Sequence, residues 1–175
     1  MNLQSDDFEL FGLPRQFAQD LGAIDARWKD LQRQAHPDRF AAQGAAAQRV
    51  AMQWSARINE AYGRLKDPLR RAAYLCEMHG ARVDAESNTA MPADFLIQQM
   101  EWREALDEAQ DVGALDGLNM EVGRSRQSLL RRCEQLIDHE LDYAGAVAQV
   151  RALMFIERFA QDIGNRYEKM ESRAG

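Results

Sequence analysis

The stretch Gln34-Ala35-His36-Pro37-Asp38-Arg39-Phe40 separates two segments that both read as amphipathic helices. A proline disfavours helical backbone in the residue before it, so the incoming helix must stop at Ala35 or His36. The product is a stiff, polar, exposed corner at the tip of a helical hairpin. His36, Asp38 and Arg39 crowd an imidazole, a carboxylate and a guanidinium fork into that corner, a dense set of donors and acceptors.

On the N-terminal side, Leu21 to Ala35 carries Ile24, Trp28, Leu31 and Ala35 on one apolar stripe. Lys29 and Arg33 lie opposite, and His36 would extend their line, so a basic surface leads into the corner. Such a pair usually does no more than keep a helix face wet; the adjoining corner is what favours a functional reading. On the C-terminal side a short loop is expected over Ala41 to Gly44, then a helix from Ala45 to Lys66. Its Ala47, Ala51, Trp54, Ile58, Ala61 and Leu65 alternate spacings of four and three, a seam suited to antiparallel packing on the preceding helix. The alanines permit close approach.

The flanks agree with a compact helical domain. Ser5-Asp6-Asp7 can cap a short helix carrying Phe8, Leu10 and Phe11, ended by Gly12 and Pro14. Asp67-Pro68 stops the long helix and starts another, Leu69 to Met78, which ends near Gly80. Loose ends are expected at residues 1–4 and 173–175.

Residues 80–91 lose periodicity and contain Gly80, Ser87, Asn88 and Thr89, which reads as a linker between a first domain, 1–79, and a second, 92–175. The second is expected as a three-helix bundle. Its first helix, about Pro92 to Gln110, has Phe95, Trp102, Leu106 and Ala109 on its core face. A turn is expected over Gly113 to Gly117, then a helix with Leu118, Val122, Leu129, Cys133, Leu136 and Leu141 inward. After a break near Asp142-Tyr143, the last helix, to about Glu171, carries Leu153, Ile156, Ala160, Ile163 and Tyr167 as its stripe.

Four apolar residues fall off these stripes: Leu96, Ile97 and Met100, beside Glu101 and Glu104, and Phe155. Apolar anchors rimmed by charge mark partner sites. The alternative is a helical phase shifted by a residue or two, which would make all four core. Trp28, Trp54, Trp102 and Tyr62 read as core or half-core.

The chain has 175 residues, 46% of them apolar, and a formal charge of −6. The acidic balance argues against a general nucleic-acid binder. Two cysteines, Cys76 and Cys133, form no CxxC pair, so a structural zinc site is disfavoured and both read as small buried hydrophobes. With no apolar run long enough to span a bilayer and no signal peptide, a cytoplasmic protein without membrane contact is expected. Catalysis by His36 would need a positioned partner and a pocket. No phosphate loop, nucleophile elbow or carboxylate pair accompanies it, so no enzymatic activity, cofactor or metal is expected.

A short helix, a helix with a basic face, a His-Pro-Asp corner and an alanine-rich antiparallel helix together resemble a J-domain. Phe11-Gly12-Leu13-Pro14, Asp67-Pro68, and Phe95-Leu96 running to Arg103-Glu104 with Leu106-Asp107-Glu108 resemble the HscB-type co-chaperones of iron–sulfur cluster assembly, over nearly the whole chain. The resemblance implies that Arg27, Lys29, Arg33, His36, Pro37, Asp38 and Arg39 bind an HscA/DnaK-class chaperone and stimulate its ATP hydrolysis. It implies too that Leu96, Ile97, Met100, Glu101, Glu104 and Phe155 bind the cluster scaffold IscU. The absence of a Gly/Phe-rich linker, a CxxCxGxG region and an N-terminal cysteine module points to a bacterial-type member rather than a general DnaJ. Ile97 stands where the family has methionine and Met100 where it has leucine, which keeps apolar bulk. A monomer is expected, with self-association left open. The competing readings are a structural adaptor of another assembly with a silent hairpin, and a small hydrolase using His36.

Overall fold

The computed structural model describes residues 4–83 and 90–174, with side chains through Ser172. Part of the expected linker, 84–89, lies outside the described residues, as do residues 1–3 and Gly175 of the expected loose ends. The described residues are helical and contain no strand. The chain divides into two compact units, Met1–Leu75 and Cys76–Gly175, and the division falls inside helix α4 (Pro68–Met78), a few residues ahead of that linker.

In the first unit, α1 (Asp7–Phe11) is capped by the Asp6 carboxylate, which accepts the Glu9 N–H, and is ended by Gly12 at φ 63°. That left-handed conformation suits glycine. Helix α2 (Leu21–Ala35) is capped by Asp20 and stops at His36, whose ψ of 125° is extended. The proline therefore terminates it where the sequence requires. The loop expected over Ala41–Gly44 is instead the end of a 3-10 segment, Pro37–Gln43. Proline fits the first turn of such a helix, and the segment runs on until Gly44 turns out at φ 93°. Helix α3 (Ala45–Lys66) then returns along α2. Ile24, Leu31 and Ala35 of α2, and Ala51, Ile58, Ala61 and Leu65 of α3, are buried between them.

One feature of this unit has no signature in the sequence. Asp7 is completely buried, and its carboxylate receives Arg57 at 2.7 Å and Arg64 at 2.6 Å. The Arg64 guanidinium also lies over the Tyr74 ring. A buried carboxylate persists only with such partners, so α1, α3 and α4 are tied through one ionic knot.

In the second unit, α5 (Ala93–Glu108), α6 (Val112–Glu134) and α7 (Tyr143–Ala174) form the three-helix bundle. Phe95, Trp102, Leu106, Leu115, Ile156 and Phe159 are among its core residues. Three expectations are corrected here. Gly113 to Gly117 is not a turn: Asp111 caps α6 by accepting the Ala114 N–H, and the helix runs through both glycines to bury Leu115. Leu141 does not point inward. The chain passes from α6 through a π-helical segment, Gln135–Glu140, and Leu141 closes it at φ 55°, 64% exposed. Ala160 is exposed, and Phe159 takes the core position beside Ile156 and Ile163. A slip of one residue turns a helical side chain by about 100°, enough to reverse that assignment. Helix α7 is helical in backbone through Ala174. Cys76 and Cys133 are buried free thiols, and burial pushes each up to about 12.

Candidate functional site

The corner is exposed and internally bonded. The Asp38 backbone N–H donates to His36 Nδ1 at 3.3 Å, and the Arg39 N–H donates to the His36 carbonyl at 3.0 Å. With Nδ1 engaged by the corner's own backbone, Nε2 is the ring nitrogen left to an outside partner. The Asp38 carboxylate lies 3.6 Å from His36 Nδ1, and the two side chains are 91% and 58% exposed. Arg39 reaches back: its Nη1 donates at 3.0 Å to the Arg33 carbonyl, one of the last-turn carbonyls of α2 that lack a helical partner. The corner is thus pinned to the end of α2 by its own side chain.

The basic residues of α2 divide in role. Lys29 and Arg33 are exposed, and Arg33 is paired with Asp30 on its own helix. Arg27 is half-buried; its Nε donates at 2.8 Å to the Phe11 carbonyl, which binds α2 to α1. Lys29, Arg33 and Arg39 therefore form the accessible positive surface beside the corner, while Arg27 also holds the unit together.

On the second unit, Leu96, Ile97 and Met100 are 49%, 63% and 75% exposed on α5. Glu101 and Glu104 are exposed on the same helix. These five residues form one apolar and acidic outer face, opposite buried Phe95, Trp102 and Leu106. Phe155 differs: it is half-buried against the core, edge-on to Phe95 at 5.8 Å and stacked on Phe159 at 5.7 Å. Arg103, not among the expected site residues, joins this face: its guanidinium lies 5.4 Å from the Phe155 ring centre and 5.1 Å from that of Phe159. Its Nη1 pairs with Asp162 at 2.6 Å. That contact joins helices far apart in sequence, so no local pattern reports it.

Among the described residues no group of His, Cys, Asp and Glu could hold a metal ion, and no helix is long and apolar enough to cross a membrane. Both regions are exposed, one a polar bend and one an apolar and acidic helix face.

Residues 91–164 match the family model described as the HSCB C-terminal oligomerisation domain. A co-chaperone protein HscB homolog of Burkholderia multivorans is 49% identical over 175 residues, covering 98% of this chain and 99% of the relative. Its counterpart in Burkholderia cenocepacia is 48% identical with the same coverage. Among solved structures, the chaperone HscB from Vibrio cholerae matches with a TM-score of 0.81 at 33% identity, over 94% of this chain and 99% of that one. Human co-chaperone protein HscB matches with a TM-score of 0.88 at 24% identity, over 95% and 84%, a likeness of fold alone.

Proposed function

The chain belongs to the HscB co-chaperone family, and we propose on that premise that it works as a two-ended adaptor in iron–sulfur protein maturation in the cytoplasm. The corner of the first unit engages an HscA/DnaK-class chaperone and stimulates its ATP hydrolysis. The α5 face with Phe155 holds the cluster scaffold IscU. The protein hydrolyses nothing itself.

The observation that carries this reading is the exposed, prefolded corner on a basic helix end. Lys29, Arg33 and Arg39 speed encounter with an acidic surface. The bonds among His36, Asp38, Arg39 and Arg33 fix the loop before docking, so little conformational entropy is lost on binding. Leu96, Ile97, Met100 and Phe155 supply apolar area, and Glu101 and Glu104 form a rim that selects a partner bearing positive charge. Carrying both surfaces on one chain raises the effective concentration of scaffold near the chaperone.

Phosphate release by a DnaK-class chaperone ATPase tests the reading. The wild-type chain accelerates it and His36→Gln does not. No acceleration by wild type, or equal acceleration by both, overturns it.

A further inference from the structure

Between the corner and the base of the hairpin lies a ring of polar bonds that the sequence gives no reason to expect. Gln32 Nε2 donates to Asn59 Oδ1 at 2.7 Å and to the Ser55 carbonyl at 3.2 Å. Ser55 Oγ donates back to Gln32 Oε1 at 2.8 Å, and Trp28 Nε1 donates to the same Asn59 oxygen at 2.9 Å. Gln32 sits one helical turn before His36.

The packing around this ring explains why it matters. Past Gln32 toward the tip, the buried residues of the interface are the small Ala35 and Ala51. Small side chains let helices approach but resist sliding and rotation weakly, because there is little to interlock. Hydrogen bonds are directional, and these join α2 to α3 at one register. A slip of one residue along α2 would turn its end by about 100° and aim His36 elsewhere. We infer that Gln32, with Ser55 and Asn59, is a positioning residue for the corner: it sets the direction in which His36 and Asp38 face.

This inference rests on the proposed stimulation of a chaperone ATPase for its functional readout, but not for its structural one. The control lies at the other end of the hairpin, where Tyr62 donates at 3.0 Å to Asp25. Gln32→Met and Tyr62→Phe each remove hydrogen bonding between α2 and α3 without changing charge. In the full chain, Gln32→Met raises the concentration for half-maximal stimulation about fivefold, the size of one neutral hydrogen bond, and leaves the maximum unchanged. Ser55→Ala shifts it in the same direction and Ser55→Thr restores it. Tyr62→Phe leaves it at the wild-type value for an equal loss of thermal stability.

Amide hydrogen exchange on the protein alone gives the second measurement. Gln32→Met speeds exchange at Asp38 and Arg39 more than elsewhere in the unit, and Tyr62→Phe does not. Equal behaviour of Gln32→Met and Tyr62→Phe in both measurements overturns the inference. A wild-type chain that stimulates no ATPase overturns the proposed function instead, and the exchange comparison then decides the role of Gln32 by itself.

Discussion

His36 caps, and Asp38 stands on, a short 3-10 segment pinned by hydrogen bonds to the end of α2, whereas Leu96, Ile97 and Met100 stand on a regular helix and show solvent only hydrocarbon and sulfur. In the proposed function the first surface recognises through direction. Its few polar atoms must meet particular acceptors and donors, so small displacements are costly. In the same proposal the second recognises through area, and apolar contact tolerates exchange of one side chain for another of similar bulk. Ile97 and Met100 fit that tolerance, while nothing comparable is open to a proline-locked bend.

The largest effect that could break this contrast is at the corner. Asp38→Ala is expected to return chaperone ATPase activity to its unstimulated rate, while scaffold affinity measured by calorimetry stays within about twofold, as for distant independent sites. A large loss of scaffold affinity would show that the two surfaces are not separate. Next comes the base that supports the bend. Asp7→Asn leaves Arg57 and Arg64 facing a neutral partner in a buried site, at an expected cost of roughly 3–5 kcal/mol in urea unfolding.

On the other surface, Leu96→Ala with Phe155→Ala is expected to weaken scaffold binding about a hundredfold, the loss of two apolar anchors. Ile97→Met should change it by less than about threefold. Reversal of those two results would make the patch as directional as the corner. A smaller effect is expected at Leu141, held at φ 55° with its side chain exposed: Leu141→Gly should stabilise the protein by about 1 kcal/mol on relief of the left-handed backbone.

The smallest effect concerns Asp25. The Lys66 ammonium, and after it the Tyr62 hydroxyl, hold this carboxyl below the ordinary carboxylate range. A carboxyl whose folded value is lowered contributes stability at neutral pH and loses that contribution as pH falls through the folded value. Asp25→Asn should therefore flatten the acid limb of the stability curve slightly, measured by thermal unfolding between neutral and acidic pH.

Much of the architecture is legible because it rests on strong local signals. Pro37 stops α2, Asp67-Pro68 separates α3 from α4, and Ile58, Ala61 and Leu65 repeat at helical spacing. Periodicity leaves the exposure of Leu96, Ile97 and Met100 open between two helical phases, and the burial of Phe95, Trp102 and Leu106 on the opposite face decides it. What is not legible depends on contacts across long sequence separations. Asp7 meets Arg64, Arg103 meets Asp162 and Gln32 meets Ser55 only after folding. Gly113 and Gly117 misled because a capped helix that buries Leu115 overrides the weak preference of glycine for turns.

The burial of Cys76 and Cys133 bears on what an adaptor of this kind must avoid. Iron binds sulfur as thiolate, and at neutral pH a thiol held to about 12 is almost wholly protonated. In the proposed role, burial and protonation together weigh against either sulfur competing for a metal that a client carries. A go-between of the proposed kind, built this way, would hold a cluster-bearing protein without robbing it.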